Sequence, residues 1–510
     1  MSEEPVYTFS PLDYVLPPLY VANIYTFPCP NHFRDPTYEI LEKALELLVD
    51  EHPLLGANIS RDTSPSVRPG TLRLSLDSSA PGELITRVDQ DIPGSSWPPK
   101  CNYPWLKAHG MPPFALDAAL LAPHAAGMKQ SSRPLQIQIN FIDGGCLLSL
   151  CIAHCFSDAW GLGLIVESWA AKCRMLQGVS RNPQSFDSPG LDFLTSSPSL
   201  KAASNENFEK LKERPEVWNA LCLDETRNKA PDPEIPPLPT TLPTCDTSPA
   251  GEDIRSCVFT FETKSLLRLR SQASSPGQSA RISIGDALTA LLWRHVMRAR
   301  FPNPPQEEAI MCMAVDIRNS ALKPAIPLSY PGNSILFGTA ALSPQRVTDS
   351  CTPLHELAST LRSAIEVVRS DDALIKDSIS LAASMPNVGM PAIKLHDFLG
   401  LHLNTVNWSN MPFANIDFGP IFDGNIVCPF PYSTTATKHR ATSHNGRAEY
   451  FRFPRGQFGG ICGIFPKRAD GTVEVFIGLK SEDMMRLKQD KEFTSYCRNW
   501  TLSDPRNSNI

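Results

Sequence analysis

The residues best suited by type to do chemistry lie in "CIAHCFSDAWGLGL", residues 151–164. An apolar run ends there on His154, and Asp158 follows four residues later. An imidazole with an ordinary pKa near 6.5 is largely neutral at pH 7, so it can take a proton from a hydroxyl and pass it on. Cys155 and Ser157 lie beside it, but neither stands in the G-x-S-x-G setting of an activated serine. Spacing alone decides little. The chain has 11 histidines, and with aspartate at about one position in twenty, roughly half an H-x-x-x-D match arises by chance. Asp158 has a plain alternative role as a helix cap, and His154 one as a hydrogen-bonded core residue.

The elements around the pair say more. "LQIQINFIDGGCLLSLCIAH" reads as a strand, a turn at "DGG" and a second strand ending at His154. "SDAWGLGLIVESWAAKCRMLQG" reads as a helix capped by Ser157 or Asp158, with Leu162, Ile165 and Trp169 on one face and Gly178 as its stop. A strand end meeting a helix start is an exposed junction on rigid supports. Upstream, "LEKALELLVDEHPLLG" has leucines at helical spacing and stops near Pro53. Downstream, "SIGDALTALLWRHVMRARF" opens on a capping box of Ser283 and Asp286 and carries the stripe Ala287, Leu288, Leu291, Leu292 and Val296. "TVEVFIGLKSEDMMRLKQD" is a strand and then a helix from Ser481, and "SPSVRPG" is a surface loop. Strands and helices mixed in both halves make the fold class α/β.

A chain of 510 residues exceeds one ordinary core. Its most informative break is the proline-rich stretch 228–253, read as an extended linker between domains 1–227 and 254–510. The net charge of −6, without a long basic block, gives nucleic-acid binding no electrostatic support. The basic run "KHRATSHNGR", 438–447, reads as a loop. No apolar stretch reaches the roughly 20 residues of a membrane helix, and "MSEEPVYTF" is unlike a secretory leader. The 14 scattered cysteines, without a C-x-x-C pair, fit reduced thiols in the cytoplasm. No metal site is expected, because no second ligand pair follows Cys151, His154 and Cys155.

Taken together, several stretches resemble the BAHD acyl-CoA-dependent acyltransferases in their fungal branch. "HCFSD" follows the expected strand, and "TALLWRHVMRAR" is similar to the family helix with its Trp293–Arg294 pair. "AVDIRNSALKPAIPLSYPGNSI" resembles the "VDxR … P … Y-x-G-N" stretch through Asp316, Arg318, Pro327, Tyr330, Gly332 and Asn333. "NWSNMPFANIDFG" resembles the approach to the DFGWG motif, with Asp417, Phe418 and Gly419 kept. "SPLDYVLPPLYVANIYTF" and "VEVFIGLKSEDMMRL" resemble the opening and closing elements, so the pieces occur in family order from about residue 9 to residue 490. Two positions depart from the pattern. Pro420 and Ile421 replace the tryptophan and second glycine of DFGWG, and Ala159 stands where glycine usually follows the aspartate.

The resemblance implies two chloramphenicol-acetyltransferase-like domains enclosing a through-channel, and a monomer with no permanently bound cofactor. Acyl-CoA, with acetyl as the default, would enter from one side and a small-molecule alcohol from the other. It implies His154 as general base, the Asp158–Arg318 pair as a structural salt bridge, and the segment around Trp408 as the oxyanion donor, with Asn407 as a second candidate. Arg281 and Ser283, at a helix start, are the positions expected to meet the phosphates of coenzyme A. The acceptor expected from the family is a hydroxyl of a terpenoid, alkaloid or polyketide, with an amine as the lesser option. Two rival readings keep the same scaffold. Condensation domains show two adjacent histidines, whereas Ala153 precedes His154 here. A binding protein that has lost the chemistry is the other.

Overall fold

The structure is a computed structural model. It describes residues 9–16, 19–76, 84–90, 101–116, 120, 131–179, 208–228, 254–275, 281–389, 391, 393–394, 398–422, 446–454 and 460–501. The first half contributes strands β1 (Tyr20–Pro28), β2 (Asn58–Arg61), β3 (Leu72–Ser75), β4 (Ile85–Asp89), β5 (Ser131–Ser132), β6 (Leu135–Ile142) and β7 (Gly145–Ala153). The second contributes β8 (Ile254–Phe261), β9 (Ala309–Asp316), β10 (Ile335–Leu342), β11 (His402–Asn407), β12 (Tyr450–Arg452), β13 (Ile461–Ile464), β14 (Val473–Lys480) and β15 (Cys497–Trp500). They form a five-stranded sheet ordered β12-β1-β7-β6-β4, a seven-stranded sheet ordered β10-β9-β11-β13-β14-β8-β15, and a small sheet β3-β2-β5.

The hairpin of β6 and β7 turns through Gly144, whose φ of +76° lies in the left-handed region open to glycine. Every residue of both strands is buried, so this part of the sheet is covered on both faces. One cover is the helix pair α1 (Arg34–Glu51) and α3 (Ala159–Leu176), with the short helix α2 (Tyr103–Ala108) between them in the sequence. Ile40, Leu41, Ala44, Leu45 and Leu48 form the buried stripe of α1, which ends before Pro53 as its sequence requires. Leu162, Ile165 and Trp169 do the same in α3, and Gly178 follows its end at φ +66°. The second-half helix α4 (Ile284–Arg300) carries the expected capping box: the Asp286 N–H donates to Ser283 Oγ at 3.1 Å and the Ser283 N–H donates to Asp286 Oδ2 at 2.7 Å. Its expected stripe is wholly buried.

The two halves are exchanged in one place. β12 leaves the second half and pairs antiparallel with β1, with Ile24 opposite Arg452 and Thr26 opposite Tyr450. One hydrophobic cluster accordingly takes residues from both halves, while a second lies within the second sheet and its helices. Of the proline-rich stretch, Asn228 ends a short helix and residues 229–253 lie outside the described ones, as do 438–445 of the basic run. "SPSVRPG" is more than a surface loop. Arg68 donates to the Met385 carbonyl at 3.1 Å, and the Val388 N–H donates to Pro69 O at 3.0 Å, so the segment docks on the second half. Spacing could not show this, because the partners lie more than 300 residues away.

Candidate active site

His154 is the first residue beyond β7, one position past the strand's end. Its N–H donates to Leu19 O at 2.7 Å, and its own carbonyl accepts from Asn333 Nδ2 at 2.8 Å. The backbone is thus held from both sides while the side chain stays half-buried. It faces a cavity of about 100 Å³ whose lining includes Val21, Leu162, Ala314, Asp316, Trp408 and Met411, residues of both halves. Burial lowers the imidazole pKa below its ordinary 6.5, and nearby backbone groups and the Asp158 carboxylate oppose this less strongly. Nδ1 is buried and meets no hydrogen-bond partner among the described residues. A neutral ring at the mouth of a cavity is chemically able to accept a proton.

Asp158 points away from this work. It is the N-cap of α3, and its Oδ1 accepts from the Gly161 N–H at 2.9 Å. Oδ2 accepts from Arg318 Nη1 and from the Ser334 N–H, each at 2.9 Å, and Arg318 Nη2 reaches Oδ1 at 3.2 Å. Both side chains of the ion pair are almost fully shut from solvent. Arg318 also donates to the carbonyls of Tyr330 and Gly332, and to Asp316 Oδ1 at 3.0 Å, so its charge and its N–H groups are well matched. A Cβ on Gly161 would stand 1.8 Å from the Pro331 carbonyl oxygen, so α3 can only approach the 330s through a glycine. Ser157 spends its hydroxyl on Pro331 O at 2.7 Å, and burial pushes the Cys155 thiol well above its ordinary range. Neither is set up as a nucleophile.

Across the cavity, Trp408 packs edge-on against Phe413, Phe451 and Phe453 with only 9% of its surface exposed. Asn407 Oδ1 accepts from the Ser409 hydroxyl at 2.7 Å, and its Nδ2 lies where a Cβ on Gly285 would come within 2.4 Å. Gly285 opens α4 and lines a second cavity, of about 400 Å³, together with Arg270, Arg281, Ser283, Arg362 and Lys467. Residues 407–408 line the His154 cavity and residues 409–410 line this one, so a single short segment separates them. Arg281 is exposed at the rim. The Ser283 hydroxyl is engaged by the helix cap, and Asp286 is held by Arg362.

Asp417, Phe418 and Gly419 do not line the His154 cavity. They pack on the far end of α3. Gln177 Nε2 donates to Phe418 O at 2.7 Å, Phe418 meets Trp169 edge-on, and Gly419 sits at φ +78° with Gln177 against it. Pro420 begins a short 3-10 turn in which Phe422 stacks on Phe27 at 3.9 Å, which is how the chain accommodates "DFGPI". Sequence reasoning missed Val21, Met411 and the polar pair Asn23 and Tyr25. Alternation along β1 puts Asn23 and Tyr25 on the same face as Val21. The Asn23 side-chain amide and the Tyr25 hydroxyl are buried with no hydrogen-bond partner among the described residues. The signal was present in "YVANIYTF", where polar Asn23 interrupts an apolar strand.

Comparison with known proteins fits this geometry. The Transferase family model matches residues 109–431, more than half of the chain. The chain is 32% identical over 502 residues to eremophilane O-acetyltransferase prx11 of Penicillium rubens, covering 96% of this chain and 97% of that protein. The figures are the same for eremophilane O-acetyltransferase ORF8 of Penicillium roqueforti. Among solved structures, Fusarium (F.) graminearum TRI101 complexed with coenzyme A and deoxynivalenol matches with a TM-score of 0.73 at 18% identity, over 97% of this chain and 99% of that one. The fold is therefore the two-domain α/β architecture that the opening stretches suggested, and the chain belongs to the Transferase family of acyltransferases.

Proposed function

We propose that this enzyme transfers an acetyl group from acetyl-CoA to a hydroxyl of a bicyclic sesquiterpenoid alcohol, with His154 as general base. The observation that carries the reading is the half-buried His154 ring in a cavity shared by both halves, beside an Asp158 whose carboxylate is taken up by Arg318 and two backbone N–H groups. The acceptor class follows the two eremophilane O-acetyltransferases, with which this chain aligns over nearly its whole length. An apolar wall of Val21, Ile152, Leu162 and Met411 suits such a carbon skeleton.

In the reaction the acceptor hydroxyl gives its proton to the imidazole as its oxygen attacks the thioester carbonyl. A tetrahedral oxyanion forms, and Trp408 or Asn407 lies on the side from which a donor would reach it. The C–S bond then breaks, the imidazolium returns the proton to the leaving thiolate, and an ester and free coenzyme A result. The pantetheine arm would pass the Gly285–Asn407 constriction, and the phosphates would meet Arg281 and the other cations around the larger cavity. A channel running through the molecule, domains at 1–227 and 254–510, a monomeric state and a cytoplasmic location belong to the same proposal. Among the described residues no helix is long and apolar enough to cross a membrane.

The test is thiol release from acetyl-CoA with a panel of alcohols that includes bicyclic sesquiterpenoids. Acceptor-dependent release that vanishes in His154→Ala is expected, together with the acetyl ester by mass spectrometry. Undiminished release in the variant rejects the general base. No release with any alcohol favours a binding protein on this scaffold.

A further inference from the structure

Behind the His154 backbone lies a buried carboxylate that the reaction does not use. Asp13, 1% exposed, belongs to the short turn Pro11–Tyr14 near the start of the chain. Its Oδ1 accepts from the Asn333 N–H at 3.2 Å and from Asn333 Nδ2 at 2.9 Å, and its Oδ2 accepts from the Ser10 N–H at 2.7 Å. Asn333 itself is fully buried, and its Nδ2 also donates to the His154 carbonyl at 2.8 Å. Both hydrogens of one amide nitrogen are therefore spent between two acceptors, the Asp13 carboxylate and the His154 main chain. The reversed amide would set its oxygen against two oxygens, so the carboxylate dictates which way the amide points. Three segments distant in sequence, around residues 13, 154 and 333, meet in this chain of contacts.

We infer that Asp13 is a positioning residue for the general base, acting through Asn333 to fix the His154 main chain where the ring meets the cavity. The inference rests on the functional reading above. The contact adjoins the Arg318 clamp, which grips the same loop at Asp158 and holds Gly332 and Ser334 on either side of Asn333.

Protonation would disturb this arrangement whichever oxygen took the proton. On Oδ1 it would oppose two Asn333 donors, and on Oδ2 the Ser10 donor. Burial pushes the Asp13 carboxyl up to about 7, against the opposing pull of the N–H donors of Asn333 and Ser10. The other ionisable groups on it are Tyr14 from its own turn and Cys155 from the loop after His154, with Arg68 beyond the Tyr14 hydroxyl. The contacts are therefore intact above neutrality and weakened below it.

Four variants and two readouts test this. Asp13→Leu is expected to lower kcat by about tenfold to a hundredfold with the acetyl-CoA KM unchanged, because the base is misplaced and the thioester site is not. Asp13→Asn, which keeps an oxygen for Asn333, is expected to recover much of that loss. The Asp13→Leu, Asn333→Leu double variant is expected to be no slower than Asn333→Leu alone, since both act through one contact. The kinetic probe is acetyl transfer to the bicyclic sesquiterpenoid alcohol. The second readout is the histidine ring NMR signal of His154 in ligand-free protein, which needs no acceptor and so separates failure of this inference from failure of the functional reading. In the unmodified protein that signal should show a second step near pH 7, absent in Asp13→Asn. Additive losses in the double variant, or identical His154 titrations in the unmodified protein and Asp13→Asn, overturn the inference.

Discussion

At the residue scale, the division of labour between His154 and Asp158 follows from where each side chain finds partners. Asp158 meets Arg318, the Gly161 N–H and the Ser334 N–H, so it has no lone pair to spare for a proton relay. His154 keeps a ring edge at the cavity, and its pKa is lowered by burial. On the proposed reading the active form is the neutral imidazole. In Asp13→Asn, where no carboxylate titrates beside Asn333, activity should therefore hold at pH 7 and be lost as pH falls through a value below 6.5, as a pH profile of kcat would record. An acid limb centred above 6.5 in that variant contradicts the assignment. His154→Gln should lower kcat by about 100-fold to 10,000-fold, the range for loss of a general base, with a small change in the acetyl-CoA KM. Asp158→Asn should behave differently. It removes the charge facing a buried Arg318, and a broken buried pair costs about 3–5 kcal/mol, so soluble yield and denaturation midpoint should fall together with activity. A variant of full stability and no activity would instead give Asp158 a direct part in the chemistry.

At the element scale, the ends of helices and strands carry the design. The start of α4 brings Gly285 against Asn407, where a methyl group would stand 2.4 Å from Asn407 Nδ2 unless that side chain moved. Gly285→Ala should displace Asn407 and narrow the proposed pantetheine path between the two cavities, lowering kcat/KM for acetyl-CoA by about tenfold or more, while leaving the melting temperature nearly unchanged. Arg281→Ala should raise the acetyl-CoA KM alone, and an unchanged KM would discard that contact. These elements were legible in the sequence because their signals are local. Ser283 and Asp286 are three residues apart, the α4 stripe follows helical spacing, and "DGG" marks its own hairpin. Asp158 and Arg318 were paired through the resemblance, and no spacing rule would have joined residues 160 positions apart. Asp13 and Asn23 were passed over for a physical reason: their neighbours come from other segments, and a polar residue's burial is invisible until the sheets are assembled. By the resemblance, the "DFGPI" change bears on local loop shape more than on the chemistry. It proved to be a packing variation under α3, where Phe422 fills space against Phe27.

At the scale of the molecule, the halves are joined by shared hydrophobic core and by Arg452. This residue, in β12, pairs with Glu474 of β14 at 2.8 Å and donates to the carbonyls of Gly110 and Met111, so one side chain ties the second sheet to the first half. Arg452→Met should leave Glu474 buried beside only the more distant Arg468 and cost about 3–5 kcal/mol in denaturant unfolding, an effect on stability and not on the His154 chemistry. The exchanged strand also bears on how the chain is made. The outer edge of β1 is closed by Tyr450–Arg452, which leave the ribosome long after it. Until then the nascent first half displays a row of unsatisfied N–H and C=O groups, a template for any extended segment nearby. A fragment ending before residue 228 should consequently associate with copies of itself, and a synthetic peptide covering 446–454 should suppress that association by occupying the vacant edge.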